Sequence, residues 1–369
     1  MSDPIQRPAS DELREQRLFE IRREAEHKGR VEAIGIRPPG APFPLASPET
    51  GYYGIPLLKE PPWTWQIPPY FFVGGAAGSA AVIGLAAHWF GHDPRLARDC
   101  CCVAAIGSVA SAGLLVSDLG RPDRFLGMLR IFKPQSPMSV GAWTLAVFGA
   151  ASTAAAFAKI LNDHFKYLPL QVIGNLSEGV AALAGLPFSN YTGVLIGASV
   201  VPLWNENAAT LPIHFGMSGL NSAVSILELM GHQNPALNKL GVVGSAVETL
   251  EGVNVELSRK AAMEPLRCGR SGWLTRIGGV LSGPLPLALR VAAAFAGKRR
   301  SRQLRRIAAA SSVAGSMLTR IAWVHAGHVS AQDWRPPLGI APTRGIAGEP
   351  EEMPVRCSDP SADSGRAGL

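Results

Sequence analysis

IPPYFFVGGAAGSAAVIGLAAHWF, residues 67–90, runs from Ile67 to Phe90 without one Asp, Glu, Lys or Arg. A helix crosses the hydrocarbon of a bilayer with roughly 20 mostly apolar residues, because every backbone polar group must be satisfied inside the segment. This stretch meets that requirement. It is entered through Trp63, Trp65 and Tyr70, aromatic residues of the kind that settle at the water–lipid boundary. Gly74 and Gly78 form a small-x-x-x-small pattern, which lets a second helix backbone approach closely in lipid.

Comparable runs follow it. A polar hairpin at 91–98 leads to a second span ending near Ser117, and a polar loop at 118–138 leads to a third span over 139–161. Residues 168–186 are half apolar, contain Asn175, Ser177 and Glu178, and are interrupted by Pro187. They read as a re-entrant or amphipathic segment, with a true span as the alternative. Further spans are expected at 189–204, 210–230, 240–257, 274–296 and 307–324, the last preceded by Lys298, Arg299, Arg300, Arg302, Arg305 and Arg306. The expectation is an all-α, polytopic transmembrane bundle of about eight helices, nine if 168–186 crosses, arranged as two four-helix bundles. Residues 1–62 form a polar tail and lead-in, 63–331 the membrane domain and 332–369 a Pro, Gly and Ser-containing tail.

The mean hydropathy of +0.14 understates the middle of the chain, since the charges gather in tails and loops. No cleavable signal peptide is visible. Residues 10–30 read as a charged helix, solvated or resting on a partner. The net charge of +7 comes from bases that flank apolar segments without aromatic interleaving, which suits lipid headgroups rather than nucleic acid. Basic loops occur on both faces, so charge does not orient the chain. Cys100, Cys101 and Cys102 are consecutive, while Cys268 and Cys357 stand alone. Consecutive helical positions point about 100° apart, so the triplet does not converge on a metal and reads as inert thiols. The expectation is no haem, no iron–sulfur cluster and no metal in this chain.

With eight spans, the lead-in, the 118–138 loop and the 259–276 connection share one face. The loop reads Asp118-Leu119-Gly120-Arg121-Pro122-Asp123-Arg124-Phe125. An acid and a base three residues apart beside Gly and Pro make a local ion pair of Asp118 with Arg121 plausible, in a rigid turn.

These strings together resemble the NrfD/polysulphide reductase membrane-subunit family. The pieces are Tyr52-Tyr53-Gly54 with Pro56 and Lys59, the Trp63 to Pro68 string with Tyr70-Phe71-Phe72 and Gly74-Gly75, the Asp118 to Phe125 loop and Phe132 to Met138. They continue through Tyr191-Thr192-Gly193, Pro202-Leu203-Trp204 and Thr319-Arg320 with Trp323, Ala326-Gly327 and Ser330-Ala331. The basic link before the last span, and Trp334 after Asp333 where the family leads one to expect proline, depart from the pattern.

The resemblance implies a membrane subunit, not catalytic alone, in a bacterial cytoplasmic membrane. It would anchor a ferredoxin-like iron–sulfur subunit, with a molybdenum or tungsten catalytic subunit beyond that, and exchange electrons with menaquinone. A quinone needs an apolar cleft, hydrogen-bond donors at its carbonyls and a proton supply. Trp65, Tyr70, Asp118, Arg121 and Lys133 are the candidates for that region, with Tyr191 and His214 as secondary donors. Glu178, Glu248 and Glu251 lie in or beside apolar segments, where acids face a cavity or partner. They are candidates for a proton path, or lie near headgroups. Glu248 and Glu251, three apart, share a helix face. A secondary transporter and a purely structural anchor remain open as alternatives. A b-type cytochrome finds no matched pair among His88, His214 and His325.

Overall fold

The computed structural model describes residues 16–21, 23–24, 58–91, 93–119, 122–258 and 260–332. Arg121, most of the 52–59 string, the tail beyond Gln332 and Cys357 lie outside them. Within the 10–30 segment the described residues are helical and exposed.

All described regular structure is helical. In chain order it consists of α1 (Ile67–Trp89), α2 (Pro94–Ser117), α3 (Pro137–Phe165), α4 (Leu168–Gly197), the short α5 (Pro202–Glu206), α6 (Leu211–Leu229), α7 (Pro235–Leu257), α8 (Gly269–Ser282), α9 (Pro284–Phe295) and α10 (Lys298–Gln332). Short 3₁₀ helices, Pro122–Leu129 and Ala261–Leu266, sit in two of the connections. Proline opens most of these helices at its first or second residue, where its missing N–H costs no hydrogen bond.

Six segments are long and apolar enough to cross a membrane: α1, α2, α3, α4, α8 with α9, and α10. Helices α6 and α7, with 19 and 23 residues, have the length and complete eight antiparallel segments. Two compact units divide the chain. The larger includes residues 62–327 and holds the bundle. In the smaller, Glu60 accepts from Gln332 Nε2 at 3.4 Å and lies 3.3 Å from His328 Nδ1.

Four helices close a ring, α1 on α2, α2 on α3, α3 on α4 and α4 on α1. Helix α6 packs on α1 and α4 and carries the chain into a second group with α7, α8, α9 and α10. Small residues set the spacing. A Cβ on Gly78 would fall 2.5 Å from the Gly185 carbonyl oxygen, and one on Gly219 2.8 Å from that of Gly75. The Gly74/Gly78 pattern therefore faces α4, where Gly74 meets the Phe188 ring and Phe188 stacks on Phe148 at 5.0 Å.

The structure revises four readings: three are corrected, and the 274–296 span is kept with a break. Residues 168–186 are neither re-entrant nor surface-lying: they are the first part of the 30-residue α4, which passes through Pro187. The helix survives its proline because α1 and α3 clamp it on both sides. The span expected at 189–204 is therefore the end of α4, a bend and α5. The 274–296 span breaks at Gly283, where α8 gives way to α9 opening on Pro284. The basic run after 298 is no link, since it forms the first turns of the 35-residue α10.

Candidate functional site

The lead-in joins the bundle through Asp118, the residue that follows α2. Its Oδ1 accepts from the Thr64 N–H at 3.2 Å and from the Thr64 hydroxyl at 2.5 Å. The Asp118 carboxylate thus fixes the strand of chain leading to α1. Trp65 beside it is 74% exposed, available to a partner or to headgroups. Lys133 is exposed on the loop, and its backbone N–H donates to Ser139 Oγ at 3.0 Å.

Tyr70 and Tyr191 lie deeper, within electrostatic reach of each other. The Tyr191 hydroxyl donates to the Pro137 carbonyl at 2.5 Å, and its ring lies flat against Gly141, where any Cβ would overlap it. An aromatic seam continues from Tyr70 through Phe71 and Phe215 to His214 and Trp323, with ring centroids 5.6 to 6.0 Å apart. Trp63 stacks on Trp204 at 4.9 Å, and the Trp204 indole N–H donates to the Trp323 carbonyl at 3.0 Å. The seam thereby joins both bundles on the lead-in face. His214 belongs to the second bundle, and its Nδ1 has no partner among the described residues.

A cleft of about 220 Å³ opens between α2 and α3, beginning about a turn and a half below this face. Phe125 and Leu129 of the 3₁₀ turn cover it; Val109, Ala142, Leu145 and Ala146 line it; Ser108 and Thr153 supply hydroxyls. Val109 at the rim is 65% exposed, so the opening faces lipid. None of Trp65, Tyr70, Asp118, Lys133, Tyr191 and His214 lines it. Tyr191 is the nearest in sequence terms, through Gly141, the neighbour of Ala142. A second apolar cavity of about 630 Å³ lies between α1, α4, α6 and α7, and these residues do not line it either.

The three acids part company. Glu178, 1% exposed, sits at the other end of the first bundle with Lys159 Nζ 2.6 Å from one oxygen and His88 Nδ1 2.5 Å from the other. Cys101 Sγ donates to it at 3.7 Å; Cys100, Cys101 and Cys102 form no disulfide. Glu248 is buried between α7, α6 and α10, and its Oε1 accepts from Ser316 at 3.2 Å. Glu251 is only half-buried, so the shared helix face expected for this pair does not give them a shared environment.

Two features escaped the sequence reading. Glu228, fully buried on α6, lies 2.7 Å from Arg290 Nη1 and 2.6 Å from Arg305 Nη2, which pins α9 and α10 to α6. Beside the buried apolar residues Phe215, Ala223, Val224 and Leu227, one buried stripe of α6 is polar from His214 to Glu228. The signal was the spacing of His214, Ser218, Asn221, Ser225 and Glu228 at three and four residues, visible only to a search for polar rather than apolar stripes. Among the described residues no group of His, Cys, Asp and Glu is placed to hold a metal ion.

Residues 57–234 match the family described as polysulphide reductase, NrfD. The match takes in α1 to α6 and ends where α7 begins. No curated protein matches the chain. From its lead-in through α6 the chain is similar to the NrfD family, whose members are membrane subunits of polysulphide and molybdopterin-type reductase complexes.

Proposed function

We propose that this chain is the quinone-exchanging membrane subunit of a multi-subunit oxidoreductase in a bacterial cytoplasmic membrane. On this reading the lead-in face, with Trp65, Asp118, Arg121 and Lys133, receives an iron–sulfur protein that connects to a molybdenum or tungsten catalytic subunit. The observation that carries the reading is the lipid-open cleft between α2 and α3. Its apolar walls and two hydroxyls suit a quinone ring entering sideways from the bilayer, with the isoprenoid tail left in lipid. Menaquinone, when bound, supplies the two-electron chemistry. The chain's own residues shape the ring site: Ser108 and Thr153 offer hydrogen bonds, Ala142 and Leu145 form the wall on α3 that Tyr191 backs through Gly141, and Phe125 and Leu129 shut the top against water.

Protons for that site are assigned to Glu178. It is buried among α1, α2, α3 and α4, yet its partner His88 is 34% exposed at the opposite face. That arrangement suits a carboxylate reached from water by way of an imidazole.

The test is purification in mild detergent, with mass spectrometry of bound proteins and extraction of bound quinone. An iron–sulfur partner and menaquinone are expected in the native chain. The Ala146→Trp variant, which fills the cleft, is expected to keep the partner and lose quinone by at least about tenfold, about 1.4 kcal/mol of binding. A chain that holds quinone equally well after this change would remove the cleft from the mechanism, and one with neither partner nor quinone would overturn the reading.

A further inference from the structure

A membrane helix packed inside a bundle normally turns small or apolar residues inward, because a buried hydroxyl or charge without a partner costs free energy in lipid. Helix α6 does the opposite. His214, Ser218, Asn221, Ser222, Ser225 and Glu228 lie on one stripe, and each is less than one-tenth exposed. Over these 15 residues the stripe extends about 21 Å, most of the hydrocarbon thickness.

Polar groups from three neighbouring helices meet it. Ser218 donates to Ser316 at 3.1 Å, and Ser316 donates to Glu248 Oε1 at 3.2 Å. Arg320 Nη1 donates to Ser218 at 2.8 Å and to the Ser316 carbonyl at 3.0 Å. Ser245 donates to Asn221 Oδ1 at 3.4 Å, and Asn221 donates to the Ser282 carbonyl at 3.2 Å. Glu248 and Arg320 are thus bridged by serines, with no direct ion pair between them among the described residues. Glu228, by contrast, is committed to two guanidiniums.

Unpaired atoms gather in the same column. His214 Nδ1, Glu248 Oε2, Ser282 Oγ, Ser312 Oγ and Arg320 Nε are buried and find no partner among the described residues. Protein interiors rarely leave such atoms unpaired, and internal water ordinarily satisfies them. A file of hydroxyls and water beside a carboxylate with one oxygen free is an arrangement that transfers protons.

We propose that the second bundle encloses a hydrated proton-transfer column along the polar face of α6, with Glu248 as its exchanging carboxylate. A proton passes along Ser218 and Ser316, the direction in which both hydroxyls donate, to Oε1, while Ser218 takes a replacement from water on the His214 side. The carboxyl then turns and releases its proton to the water beside the free oxygen, restoring the carboxylate. The charged group that the structure places against Glu248 is Arg320 of α10, linked to it through Ser316, while Arg290 and Arg305 are held by Glu228. Because Glu248 has no guanidinium bonded to it, it changes protonation without breaking a salt bridge. The column shares no residue with the α2/α3 cleft, so it stands or falls apart from the quinone reading.

The test is infrared difference spectroscopy of the purified full chain in lipid nanodiscs during pH jumps, in H₂O and in D₂O. A carboxylic-acid C=O band is expected that disappears in Glu248→Gln, persists in Glu251→Gln and shifts within the mixing time in D₂O. Ser316→Ala, nearly isosteric and retaining Glu248, is expected to slow that exchange at least about tenfold. This variant carries the test if Glu248→Gln fails to fold. A band that resists D₂O for hours, an unchanged exchange rate in Ser316→Ala, or no band assignable to Glu248 would each overturn the proposal.

Discussion

Glu228→Ala is expected to yield little folded protein, and what is recovered should unfold in detergent far below the native midpoint. The carboxylate is the shared partner of Arg290 and Arg305, and all three side chains are buried. Removing it leaves two guanidiniums facing each other in the interior of a membrane bundle. Arg290 would keep only its 3.2 Å bond to Ser225, and Arg305 its 3.0 Å bond to the Asn234 carbonyl. Breaking a buried pair by removing one partner costs about 3–5 kcal/mol, and here one change breaks two. That is a large part of the stability of an ordinary domain. The triple replacement Glu228→Leu, Arg290→Met, Arg305→Met separates this cause from mere loss of packing. It removes all three charges together and is expected to recover most of the lost stability, since apolar substitutes for a whole buried triad are often neutral or better. If the triple variant is as unstable as Glu228→Ala, charge burial is not the reason.

That triad also shows what could be read from the chain before its structure. Apolar runs such as 67–90 announce themselves, because crossing lipid requires length and low polarity and little else. Six segments of the chain are of this kind. Where a helix carries its polarity inward, the same reading weakens. Helix α6 and helix α7 fall short of the apolar threshold because Glu228, Asn221 and Glu248 lie inside the protein rather than in lipid. Pro187 misled in the other direction. It ends helices in water, whereas α1 and α3 hold α4 together around it.

The site was legible only in part. Asp118 was singled out as the acid of a local turn, yet its carboxylate reaches 54 residues back to Thr64, a contact with no sequence signature. Tyr191 was named for its phenol and Tyr70 for its place in the lead-in string, and neither lines the cleft. The cleft was not foreseen, because Ser108, Phe125 and Thr153 come from three separate elements and are ordinary residues in each.

Gly141 offers the sharpest link between packing and site. Its Cβ, if present, would lie 2.0 Å from Tyr191 Cζ and 2.2 Å from the hydroxyl oxygen, far inside van der Waals contact. Gly141→Ala is therefore expected to push the ring away and break its bond to the Pro137 carbonyl at the start of α3. Overpacking of this kind costs about 1–3 kcal/mol, which thermal unfolding in detergent will register. It also shifts the turn of α3 that bears Ala142 and Leu145, two walls of the cleft, so bound quinone should fall with stability. Tyr191→Phe divides the two effects. It keeps the ring against Gly141 and removes only the hydroxyl, so stability should change by about 1 kcal/mol, while quinone content reports whether the phenol itself is needed. Adding Tyr191→Ala to Gly141→Ala makes room for the methyl, and the combined loss is expected to be smaller than the sum of the two single losses. Additive losses would mean that ring and glycine do not touch, and that Tyr191 does not reach the cleft through α3.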